Sequence, residues 1–161
     1  MRDLWLRDGD IFIQRANTLD YVGLAALYEG PDNFAIFPDL LVRVRPHEKQ
    51  MRPKFLCEYL ISARCRAYFQ MNAKATAGNF PKIDQGIIEN LKVPVPAPEE
   101  QAEFEQAARA LDKKRATHSK LRARLEGLFR ALLHQLMTAQ IRVHDLDLAE
   151  LDLPGQRPEP G

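Results

Sequence analysis

The sequence predicts an α+β protein: a small mixed α/β domain followed by one long coiled-coil-type helix. Three observations carry that reading. Short stretches of alternating apolar and polar residues lie within the first fifty positions. Apolar residues then recur at helical spacing from Pro53, and beyond Pro98 the chain runs to about Gln140 with no proline and only Gly127 as a glycine. The expected organisation is a mixed domain over residues 1–97, a long helix over 98–140 and an acidic, proline-rich tail over 141–161.

The elements follow in order. In GDIFIQRAN, Ile11 and Ile13 alternate with Phe12 and Gln14, which predicts a strand, and residues 17–20 have turn chemistry. A second strand is expected at residues 33–37. A third runs from Leu40 to Arg45, where Leu40, Val42 and Val44 alternate with Leu41, Arg43 and Arg45; both arginines then share one solvated face. Pro53 suits a first helical turn, and Phe55, Leu56, Tyr59, Leu60, Ala63 and Ala67 extend one apolar stripe, so a single helix is expected over residues 53–71. A loop over 72–81 and a short helix over 83–90 follow. Leu91, Val93 and Val95 face away from Lys92, Pro94 and Pro96, which restricts this segment to an edge strand or a polyproline-like rod.

Proline at position 98 with Glu99 and Glu100 behind it marks a helix start, because acidic side chains favour the positive end of the helix dipole. A heptad threads through Phe104, Leu111, His118, Leu125, Leu132 and Ala139, with Ala107, Lys114, Leu121, Leu128 and Gln135 at the second seam position. About forty residues span ~60 Å, too long to bury the stripe on a domain of this size. Phe104, Leu111, Leu121, Leu125, Leu128, Leu132 and Leu136 are therefore expected to face another helix, with Lys114 and His118 interrupting the seam.

Composition narrows the function classes. The N-terminus, MRDLWLRDGD, lacks the apolar core of a signal peptide, and no apolar run is long enough to cross a bilayer, so a cytoplasmic protein with no membrane partner is expected. Cys57 and Cys65, eight residues apart on one expected helix, would lie ~12 Å apart, beyond disulfide reach. The four histidines show no ligand spacing, so no metal is expected. Net charge is +1, yet between Arg43 and Lys82 nine basic residues face two acidic ones, an excess of +7 able to steer a polyanion. No phosphate loop, zincin helix or nucleophile elbow occurs; the Pro-Asp pairs at 31–32 and 38–39 could pair as a nuclease site with Asp112-Lys113-Lys114, but those lie deep in the long helix rather than on a neighbouring strand, so no catalysis is expected.

The order of these pieces, GDIFIQRAN, NFAIFPDLLVRVRP, PKFLCEYLISARCRAYF, GNFPKID, LKVPVPAPEEQ and a long helix closing in LMTAQIRV, resembles the specificity subunit of type I restriction-modification enzymes over residues 9–143. The resemblance implies a module that recognises double-stranded DNA inside an assembly with methyltransferase and restriction subunits. It carries no cofactor of its own; S-adenosylmethionine and ATP belong to those partners. Residues 1–97 would be the C-terminal part of a target-recognition domain and the helix a spacer, paired with a second copy or a second half-subunit. Arg15 and Asn17 match the family's arginine, one residue, asparagine pattern, with Thr18 where glycine is common, and both residue types suit base readout. The loop before the short helix offers Asn79 and Lys82, while Arg43, Arg45 and Lys74 suit phosphate contacts. The chain departs from the family pattern in starting close to Gly9, in carrying one spacer helix, and in having Ala139 in place of a glycine. It would then be a C-terminal part or a half-length form. The competing expectation is a truncated assembly protein that binds a methyltransferase without reading DNA.

Overall fold

A computed structural model describes residues 4–47, 49–75, 80–142 and 144. Three strands form one antiparallel sheet, β1 (Ile11–Gln14), β2 (Ala25–Leu27) and β3 (Leu41–Val44), in the order β2-β1-β3. β1 is the central strand, which explains its continuous burial. Ile11 and Ile13 point into the core at 0% exposure, and Phe12 on the opposite face meets the Phe37 ring at 4.9 Å.

The second strand is not where alternation placed it. Residues 33–37 contribute only an isolated bridge, Ile36 to Trp5, whereas β2 lies earlier and pairs Ile11 with Leu27 and Ile13 with Ala25. Ala-Ala-Leu has no strand signature of its own. Pairing there is imposed by the turn through Gly23, whose N–H returns to the Gln14 carbonyl at 2.8 Å.

The expected single helix over residues 53–71 is two, α1 (Pro53–Ile61) and α2 (Ala63–Asn72). Ser62 breaks it: its ψ is 153°, and its Oγ accepts the Cys65 N–H, which makes it the cap of a new helix. A serine whose hydroxyl can satisfy a helix-start donor competes with helix continuation. The two helices lay Leu56, Leu60, Cys65 and Phe69 against Ile11, Ile13, Val22 and Ile83 to form the core. Both cysteines are free and buried, and burial, with the Glu58 charge, pushes the Cys57 thiol up to about 11. A short α3 (Gln85–Glu89) follows, capped by the Asp84 carboxylate on the Ile87 N–H. Residues 91–97 are neither strand nor helix; Tyr59 fastens them by donating its hydroxyl to the Lys92 carbonyl.

The last element, α4 (Pro98–Met137), is one unbroken helix of 40 residues, ending three residues before the expected position. The chain divides into two compact units, Met1–Arg109 and Ala110–Gly161. Within the first, the opening turns of α4 are latched. Gln101 is 1% exposed; its Oε1 accepts the Arg52 N–H at 2.8 Å and its Nε2 donates to the Gln50 and Pro96 carbonyls at 2.9 Å each. Phe104 sets its edge on the Phe55 ring, so this one of the expected interface residues packs against its own unit. Glu105 takes ion pairs from Arg52 and Arg109, and Arg109 reaches on to Glu29. Burial alone would raise the Glu105 carboxyl, but the hydrogen bonds from Arg109 and Arg52 outweigh it and hold it below its ordinary range.

In the second unit, Leu111, Leu121, Leu125, Leu128, Phe129, Leu132 and Leu133 are 39–67% exposed, and Leu136 is half-buried. Past the helix, Ala139 stands at φ 55°, while the Gln140 and Ile141 N–H groups return to the Gln135 carbonyl. That left-handed position is where helices commonly place glycine, and it strains an L side chain. Ala139→Gly is expected to stabilise the last turn by about 0.5–1 kcal/mol, read as roughly two- to fivefold slower amide exchange there. Among the described residues no helix is long and apolar enough to cross a membrane. The acidic tail from residue 145 onward lies outside the described residues.

Candidate nucleic-acid interface

The side chains expected to read DNA come from three segments far apart in the chain, and backbone pairing joins them. An antiparallel bridge sets Ala16 opposite Lys82, and a second sets Lys82 opposite Lys74. Lys74 and Lys82 exchange both backbone bonds, at 2.9 and 3.0 Å; the Ile83 N–H donates to the Arg15 carbonyl at 2.9 Å, and the Asn17 N–H to the Pro81 carbonyl at 3.3 Å. Fully buried Ile83 anchors the middle segment in the core. Arg15, Asn17, Lys74 and Lys82 are thus gathered at the Gln14 end of β1.

Their electrostatics are open. Lys74 and Lys82 face each other as like charges, and Asp84 Oδ2 lies 3.6 Å from Lys74 Nζ. Arg15 and Lys82 are exposed and have no ion pair among the described residues. Asn17 Oδ1 accepts the Thr18 N–H at 2.7 Å, which orients the partly exposed amide. Asn79 lies outside the described residues.

The turn beside this cluster is held from α2. Arg66 donates to the Val22 and Asp20 carbonyls at 2.5 and 2.6 Å, and Gln70 donates to the Leu19 carbonyl. Gly23 closes the turn at φ 74°, directly over Phe69: a Cβ there would lie 2.5 Å from the Phe69 Cβ. Arg66, Gln70 and Gly23 therefore position the cluster. None of the three carries a sequence signal for this role, since an arginine that caps a turn reads the same as one that meets a phosphate.

Arg43 and Arg45 share the Phe12 face of the sheet, as alternation predicts, but both converge there on Asp10, whose side chain is 1% exposed, and Arg45 keeps more exposure, 37% against 18%. Arg45 binds it through Nε and Nη2 at 2.5 and 3.1 Å, and Arg43 Nη1 lies 3.8 Å away. Arg43 also donates to the Trp5 carbonyl and stacks over Phe37 at 5.2 Å. A buried carboxylate must be neutralised, and these arginines do so. They sit at the Ile11 end of β1, ~10 Å (Arg43) and ~17 Å (Arg45) along the strand from Arg15. Among the described residues no group of histidine, cysteine, aspartate and glutamate could hold a metal ion.

Residues 8–127 match the model of a family described as the type I restriction modification DNA specificity domain. The chain is also similar to a Methanocaldococcus jannaschii protein provisionally named the MjaX specificity subunit of a type I restriction enzyme, with 27% identity over 136 residues. That alignment covers 84% of this chain and 32% of the relative, so the chain spans about a third of that protein's length.

Proposed function

The chain belongs to the type I restriction modification DNA specificity domain family, and from that membership we propose that it recognises double-stranded DNA for a restriction-modification assembly. The observation that carries the reading is the convergence of Arg15, Asn17, Lys74 and Lys82 through the bridges at Ala16, Lys82 and Lys74. Lys74 and Lys82 hold phosphates, which supplies affinity without sequence information. Arg15 and the amide of Asn17 meet base edges, where arginine favours guanine and asparagine adenine. Arg43 and Arg45 neutralise Asp10 at the far end of β1 and add positive field rather than direct contacts.

The chain acts without catalysing a reaction, as a cytoplasmic specificity component. Methyltransferase and restriction subunits, which bring S-adenosylmethionine and ATP, do the chemistry. The exposed leucines of α4 pair with a second copy or second half-subunit, and a helix of ~60 Å exceeds the ~34 Å of one DNA turn, so two recognition units can address a split site. Sedimentation of the full chain is expected to show a species heavier than the 18.4 kDa monomer that reverts to monomer in Leu125→Ser/Leu128→Ser. A monomer at every concentration contradicts pairing with a second copy through this face.

Selection from a library of duplexes with a randomised centre, by the chain alone and with a type I methyltransferase subunit, tests the reading. Lys74→Gln and Lys82→Gln are expected to weaken binding to all sequences alike and to lower the salt slope by about 1 each, whereas Asn17→Ala relaxes preference at one base pair. Enrichment of no sequence under either condition would leave only an assembly role.

A further inference from the structure

We infer that Phe80 is a wedge that enters a base step of the bound DNA while Lys74 and Lys82 grip the phosphates beside that step. The inference rests on the DNA-reading role proposed above and adds to it a residue and a deformation of the duplex.

Phe80 is 64% exposed, and the residues that follow it are pinned by backbone bonds. It precedes Pro81, and a residue before proline is restricted to extended backbone. The Pro81 carbonyl is bonded to Asn17, Lys82 is bonded on both backbone groups to Lys74, and Ile83 is fully buried. The segment therefore has little freedom to swing the ring inward. In extended chain, residues two apart share a side, so Phe80 and Lys82 project together, and Lys74 lies directly opposite Lys82 on that same side.

An aromatic ring and two ammonium groups thus stand on one rigid face. Two like charges set opposite each other, with Asp84 3.6 Å from one of them, attract a polyanion, and beside the thymine methyls and sugars the base faces are the largest apolar surface a duplex offers a ring. Apolar side chains inserted between base pairs unstack and bend DNA in many proteins that grip the flanking phosphates. Pyrimidine–purine steps open most easily, so the step entered is of that kind.

The test uses the duplex recovered by the selection above, with 2-aminopurine placed in turn at each adenine, since this base brightens when it is unstacked. Binding of the full chain is expected to raise fluorescence at one pyrimidine–purine step. Phe80→Ala is expected to abolish that rise and weaken binding about tenfold, with an unchanged melting temperature because the ring is exposed. Phe80→Leu, still a wedge, retains part of the signal. Tight binding with no responding position, or a full response from Phe80→Ala, overturns the wedge and leaves DNA reading intact. A chain that binds no duplex removes both.

Discussion

Gly23→Ala is expected to destabilise the first unit by about 2–5 kcal/mol, which would be the largest single-residue effect in the molecule outside its core. Two costs add. At φ 74° an alanine pays the left-handed penalty of ~1–2 kcal/mol, and its Cβ would stand 2.5 Å from the Phe69 Cβ, a fully buried side chain that cannot withdraw without opening the core. Overpacking of this kind adds ~1–3 kcal/mol. Denaturant titration measures the sum. The same substitution should displace the turn that Arg66 and Gln70 hold and so lower DNA affinity under conditions where the unit is still folded. A loss below about 1 kcal/mol would show that the turn is not pinned on Phe69.

The second large effect is expected at Arg45. Arg45→Met leaves the Asp10 carboxylate buried with one N–H bond from Arg7 and with Arg43 at 3.8 Å. Removing one partner of a buried pair costs ~3–5 kcal/mol because the remaining charge is uncompensated. The guanidinium side chain is 37% exposed, so water replaces part of it and the lower end of that range is expected. Asp10→Asn combined with Arg45→Met keeps an acceptor for Arg7 and removes the charge, and it should recover most of the loss. A double variant as unstable as the single one would place the effect in packing rather than in charge. The comparison also separates structure from recognition: if Arg45 itself held phosphate, the recovered double variant would still bind DNA poorly.

Both predictions concern residues whose roles local pattern could not supply. The sequence by itself determined the elements whose signals are short-range. β1 is readable from the Ile11 and Ile13 alternation, α4 from Pro98 with two glutamates behind it and an almost glycine-free run, and the family from the order of its segments. It also marked the basic stretch and offered Arg15, Asn17, Arg43, Arg45, Lys74, Asn79 and Lys82 as candidates, without saying which of them are available. Where local signals were weak or in competition, the reading missed. Ala-Ala-Leu became a strand because a turn delivered it to Ile11, and Ser62 ended a helix whose apolar stripe ran straight through it.

Only the tertiary structure decided which of the charged residues are available. Arg43, Arg45 and Arg66 look like Arg15 in the sequence, yet two neutralise Asp10, one caps a turn, and Arg15 stays open to solvent. The physical reason is range. Periodicity and capping are set by neighbours within one or two turns of chain, whereas the partner of a long, flexible cation is whichever carboxylate or carbonyl folding brings within hydrogen-bond distance. The convergence of residues 15–17, 74 and 82 is of that second kind: it exists because the core buries Ile83 beside β1, and no spacing in the chain encodes it.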